Sequence, residues 1–182
     1  MEKEISNQSQ KEFSYEHNVK RMKITLIISL VASLLATIFL FIFPIAWYPS
    51  YGYLTVIVNI GLWGYKIGFT KLFTGLLLGA FVLSAVCSSL LLVQYYGKLS
   101  MKITSSLIVI IVNIIATVLA GIFIGLLAVY IPILSTSPEG IWHYSVGFYS
   151  SLIGVLALFI LSFLTFKYSN FTILFPETKK II

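Results

Sequence analysis

ITSSLIVIIVNIIATVLAGIFIGLLAVYIPIL, residues 103–134, carries no charged side chain. At 1.5 Å per residue a helix of this length reaches roughly 48 Å, against about 30 Å for the hydrocarbon core of a bilayer. The stretch predicts a transmembrane helix that tilts or projects beyond the membrane. Pro132 lacks a backbone N–H and favours a bend near the end. Three further apolar runs flank it, at residues 24–46, 72–95 and 145–166, again without a charged residue. Each approaches or exceeds the roughly 20 residues that a spanning helix needs.

The composition agrees. The chain of 182 residues is 59% hydrophobic and 10% charged, far from the balance of about 25% charged in soluble domains. The expected fold class is an all-α membrane protein, a four-transmembrane-helix bundle. A cytoplasmic N-terminal tail (residues 1–23) precedes a membrane domain (24–167), and a cytoplasmic C-terminal tail (168–182) follows it. Outer loops cover residues 47–71 and 135–144. The tail of 23 residues and the long apolar run that follows it argue against a cleaved signal peptide.

Twelve Lys and Arg face six Glu, with no Asp, for a net charge of +6. The basic residues cluster at the ends of the apolar runs, which reads as a topology signal and not as a nucleic-acid surface. The N-terminal tail, the turn between the second and third spans and the C-terminal tail hold ten of them, and the first outer loop holds two. Retention of basic residues on the cytoplasmic side then places both termini there, in an integral protein of the cell membrane. The tail before residue 24 mixes both charge signs with Ser, Asn and Gln and reads as mobile, with a helical segment leading into the membrane.

Within a bilayer, helices associate through close packing at small residues and through interhelical hydrogen bonds. Gly75 and Gly79 on the second helix and Gly121 and Gly125 on the third are the expected packing positions, and helix four offers Gly147, Ser151 and Gly154. Asn113 is the most polar side chain in any span, and burying its amide unpaired would cost several kcal/mol. It is expected to face the bundle toward Ser84, Ser88 or Ser89, as an interhelical bond in preference to a ligand or permeation site. No span carries the ionisable group that a proton- or ion-coupled transporter generally uses. Cys87 is the only cysteine and reads as a small packing residue. One Cys and two His (His17 and His143) assemble no Cys/His metal cluster, and neither cofactor nor metal is expected.

Outer loop one is rich in strand formers, "YGYLTVIVN" and "LWGYKIGF", with Asn59, Ile60 and Gly61 placed for a turn between them. This predicts a small extracellular β-hairpin, with a further strand drawn from the loop "STSPEGIWHYS". A strand pair this short is marginal alone. Trp47, Trp63 and Trp142, all in or beside the outer loops, are the expected anchors, with Gly61 and Leu62 packing beside them.

Trp47 at the exit of helix one, Gly61-Leu62-Trp63 in a β-rich first loop, a long third helix with Pro132 near its end and Lys71 before helix two together resemble the claudin and peripheral-myelin-protein superfamily. The resemblance implies a non-enzymatic protein of lateral or cell–cell association. The chain departs from that pattern at Lys66, where the family's first loop cysteine would fall, and it has no second loop cysteine, so a disulfide-stapled loop is not implied. The alternatives are an accessory subunit of a larger membrane complex and a MARVEL-like protein of membrane apposition or trafficking. Expected partners are the lipid bilayer and either further copies of the chain or other membrane proteins, with no nucleic acid and no small-molecule substrate. Glu139 and His143 have the spacing of an acid–base pair, but on a short outer loop a solvated interfacial pair is the preferred reading, and no enzyme is expected.

Overall fold

A computed structural model describes residues 2–50, 56–62, 69–96, 103–134 and 143–169. Four long helices carry the architecture: α1 (Glu2–Ile42), α2 (Thr70–Tyr95), α3 (Ile103–Leu134) and α4 (Val146–Tyr168). Each contains a segment long and apolar enough to cross a membrane, the first being Val19–Ile42. The chain is an integral membrane protein built on a four-helix bundle. α1 packs between α2 and α4, and α3 closes the ring between the same two neighbours. Large apolar side chains such as Ile153 (67% exposed) and Phe163 (65%) face outward, where lipid tails replace water as solvent.

Three short strands, β1 (Ala46–Ser50), β2 (Val56–Ile60) and β3 (His143–Tyr144), form one antiparallel sheet in the order β2-β1-β3. The connection between α3 and α4 therefore does contribute a strand, and it pairs with the first strand of the hairpin. The hairpin differs from the expected one. Ser50 pairs with Val56, and Asn59 lies inside β2 opposite Trp47 instead of at the turn. The second expected strand falls largely on residues 63–68, outside the described residues.

Pro44 accounts for the difference. The residue before a proline is pushed out of the helical region, so α1 ends at Ile42, four residues before the expected boundary at Ala46. Residues 46–50 are thereby released into an extended strand. Three backbone hydrogen bonds hold the exit: Ile45 N–H donates to Ile60 O (2.7 Å), Ser145 N–H to Ile45 O (2.8 Å) and Gly147 N–H to Pro44 O (3.1 Å). At the other end of α1 the backbone is helical from Glu2, where a mobile tail was expected. Its Glu, Lys and Gln residues are good helix formers, and the apolar span provides a helix already nucleated for them to extend. α3 covers the expected residues 103–134, while α2 begins two residues before its expected start and α4 ends two residues after its expected end.

The bundle interior has three layers. At the sheet end, Leu40, Ala46, Phe81, Ile124, Leu127 and Phe148 belong to a large apolar cluster. At the opposite end, Met22, Leu26, Leu91, Leu92 and Ile110 form a smaller one. Between them every helix carries buried polar side chains.

Candidate functional site

Each helix brings small polar residues to the same level, and on α1, α2 and α3 they come as pairs four residues apart, the spacing that stacks side chains on one face. The pairs are Ser29 and Ser33 on α1, Ser84 and Ser88 on α2, and Asn113 and Thr117 on α3, with Ser162 on α4. All seven are buried. Ser29 Oγ and Ser88 Oγ lie 3.1 Å apart and share one hydrogen bond. Ser33 donates to the Ser29 carbonyl at 2.8 Å, and its Oγ is also 3.3 Å from Ser84 Oγ.

Asn113 stands at the centre of the layer. Of the three serines the sequence offers it, Ser84 makes the bond, donating its hydroxyl to Oδ1 at 2.7 Å. Ser88 instead pairs with α1, and Ser89 turns back to its own helix, donating to Ala85 O at 2.9 Å. On the other side Asn113 Nδ2 donates to Ser162 Oγ at 3.4 Å. Thr117 donates to the Asn113 carbonyl at 2.9 Å, and its Oγ1 lies 3.1 Å from Ser162 Oγ. With the Thr117 proton so committed, Ser162 is the donor in that last contact. The polar layer thus links all four helices through hydroxyls and one amide.

Of the glycines that the sequence offers for packing, those of α4 make the close approaches and those of α2 and α3 do not. A Cβ added at Gly75, Gly79 or Gly125 would meet nothing within 4 Å, and one at Gly121 would make an ordinary 3.7 Å contact with Val155 Cγ1. At Gly154, by contrast, an added Cβ would lie 2.9 Å from Ala36 Cβ, and at Gly147 it would lie 2.5 Å from Pro44 O and 2.7 Å from Phe43 O. These two glycines of α4 let α1 come close, one in the span and one where α1 gives way to β1. Cys87 is buried in α2 as a small apolar side chain.

The sheet is fastened to the bundle by groups from four elements. Gly61 is buried, and a Cβ there would come within 3.2 Å of Pro44 Cα, so the end of β2 lies directly on the exit of α1. Leu62 is half-buried. Trp47, also half-buried, stacks on the exposed His143 with ring centroids 4.7 Å apart. Trp63, Trp142 and Glu139 lie outside the described residues. The Tyr144 ring stacks on Phe148 at 4.2 Å, and its phenol donates to Ala128 O at 2.8 Å. Ala128 is the residue whose carbonyl would have bonded the N–H of Pro132, four residues on, had proline possessed one. The hydroxyl of β3 takes up the acceptor that the proline of α3 leaves open. Burial, and after it the neighbouring Tyr149, push the Tyr144 phenol above its ordinary range and keep it a donor.

The sequence-based reading reached Asn113, Ser84 and Ser88 but not Ser29, Ser33, Thr117 or Ser162. The signal was present: on three helices a pair of small polar residues at i and i+4 falls near the middle of an otherwise apolar span. Among the described residues no group of three His, Cys, Asp or Glu is placed to hold a metal ion. No model of a known protein family matches the chain, and no curated protein matches it.

Proposed function

We propose that this is a non-enzymatic, claudin-like membrane protein acting by lateral or cell–cell association at the cell surface, with both termini cytoplasmic and the sheet on the outer face. The observation that carries the reading is the sheet itself. A strand from the loop between α3 and α4 is hydrogen-bonded to the strand that leaves α1, so loops far apart in sequence form one unit. That unit is fixed to the bundle at Pro44, Gly61, Gly147 and Ala128. A surface held this firmly is preorganised for a protein partner, because little loop entropy remains to be lost on docking. The placement of ten of the twelve basic residues in the tails and the turn between α2 and α3 supports the orientation.

Crosslinking of the full chain in cells, together with its size in lipid discs, tests the proposal. A crosslinked neighbour is expected, with the crosslink weakened by Trp47→Ala, which removes the stack on His143 without entering the helix core. A chain that stays monomeric in discs and crosslinks to nothing refutes it. Stoichiometric co-purification with one defined complex, unaffected by Trp47→Ala, replaces it with the reading of an accessory subunit.

A further inference from the structure

We propose that the end of the bundle opposite the sheet holds the headgroup of an anionic phospholipid at the seam between α1 and α4, with Arg21 and Lys167 as its cationic ligands. This rests on the chain being an integral membrane protein and not on the association reading.

The packing of α1 on α4 brings the two side chains to one level. Ala36 and Gly154 face each other across the seam, and the two helices run antiparallel. Moving from 36 back to 23 and from 154 on to 167 descends equally on both, about 20 Å at 1.5 Å per residue. Lys167 therefore stands level with Lys23, half a turn from Arg21. Tyr168 gives an independent fix, since it packs against the apolar cluster that contains Met22 and Leu26.

Among the described residues four Lys and Arg side chains, Lys20, Arg21, Lys23 and Lys167, lie at this end, and Lys23 is already engaged. Lys23 Nζ lies over the Tyr96 ring at 4.8 Å. Lys20 follows Glu16 by four residues on α1, the spacing of a helical ion pair. Arg21 and Lys167 remain, both exposed. Between His17 and Ser169 the single acidic residue is Glu139, in the connection that leads to β3. No carboxylate of the spans thus balances the pair.

What complements two cations at the rim of an apolar surface is a phosphate carrying acyl chains. Arginine presents a planar fork that matches phosphate oxygens, and lysine adds a point charge. Toward mid-membrane the surface continues with exposed apolar residues, including Ile24 and Ile28 on α1 and Ile160 on α4, suited to the lipid tails. Anionic lipids attract basic groups at a membrane surface strongly enough to change occupancy roughly fivefold per charge.

The test is native mass spectrometry of the full chain released from discs of equal phosphatidylcholine and phosphatidylglycerol, reading which lipid remains bound. The wild-type chain is expected to retain phosphatidylglycerol preferentially. The double variant Arg21→Gln, Lys167→Gln should lose roughly fivefold of that preference per charge removed. Lys71→Gln, in the first turn of α2 at the sheet end, should leave it unchanged. The charge-retaining pair Arg21→Lys, Lys167→Arg should keep it, which separates the role of charge from local packing. A wild-type chain without preference, or an undiminished preference in the Gln pair, overturns the proposal. So does displacement of the retained lipid by excess inorganic phosphate, which would assign the site to a free anion.

Discussion

The hydrogen bond from Ser84 to Asn113 joins α2 to α3 within the bilayer, and its contribution follows from its geometry. At 2.7 Å between buried partners it has the usual length of a well-made hydroxyl hydrogen bond. Interhelical hydrogen bonds in membranes average about 0.6 kcal/mol and reach about 1.7, because helices that have not associated find other partners. A coupling of roughly 0.6–1.7 kcal/mol is therefore expected for this pair. Ser84→Ala should destabilise the bundle by about 1 kcal/mol. Asn113→Ala should cost about 1–3 kcal/mol, since it also removes the longer bond to Ser162 and some packing. The double variant should fall short of the sum by the coupling. Unfolding in mixed micelles of rising denaturing-detergent content, followed by helicity, reads all four corners of this double-mutant cycle. Ser89→Ala is the control, because Ser89 bonds only to its own helix in this region, and it should lie within about 0.5 kcal/mol of wild type. Additivity of Ser84→Ala and Asn113→Ala within about 0.3 kcal/mol would refute the interhelical bond, because groups that do not interact behave that way.

Gly147→Ala places a Cβ against the Phe43 and Pro44 carbonyls, and Gly154→Ala places one against Ala36; each should destabilise by roughly 1–3 kcal/mol in the same assay, while Gly75→Ala and Gly79→Ala change it by less than about 0.5. Tyr144→Phe, which strands the Ala128 carbonyl, should cost about 1 kcal/mol and raise amide exchange in β1 and β3 before it affects the spans. The raised Tyr144 pKa stabilises the fold fully below the unfolded phenol value of about 10, and that contribution is lost as pH rises through the higher folded value. Alkaline titration of stability should accordingly fall more steeply above about pH 10 for wild type than for Tyr144→Phe, and equal slopes would contradict the assignment.

The four spans were legible because a bilayer requires long uncharged runs, and nothing else in a chain of this size resembles them. The glycines were found on three helices but not ranked. In a soluble helix the apolar side marks the core, but here leucine and isoleucine suit lipid and core alike, so spacing alone cannot separate the lipid-facing Gly79 from Gly154 on the seam with α1. The small polar residues retain the information that the apolar ones have lost. Ser29 with Ser33, and Asn113 with Thr117, identify the buried face because hydroxyls and amides gain from partners inside the bundle. The hairpin was found in kind but displaced in register. Asn59 and Gly61 have turn chemistry, yet the bonds from Ile45 to Ile60 and from Ser145 to Ile45 fix where the strands begin. Those contacts join residues whose proximity no local pattern records.

The two ends of this bundle are coupled through the layer between them. Apolar clusters tolerate sliding, because a leucine moved along its neighbour exchanges one hydrocarbon contact for another. The polar layer does not: shifting α3 by one turn toward the sheet would separate Asn113 from Ser84 and Ser162 and carry its amide to the level of the apolar Ala80 and Leu158. The level of α3 then sets the level of Ala128, whose carbonyl accepts from the Tyr144 hydroxyl, and the level of α4 sets that of Gly147, whose N–H donates to the Pro44 carbonyl. The sheet forms only where α1, α3 and α4 end at matching heights, so hydrogen bonds buried in the middle of the membrane govern whether the loops at its surface can pair. If the sheet is the surface through which the chain meets its neighbours, Asn113 acts on that surface from several turns away, by holding register and without touching the partner.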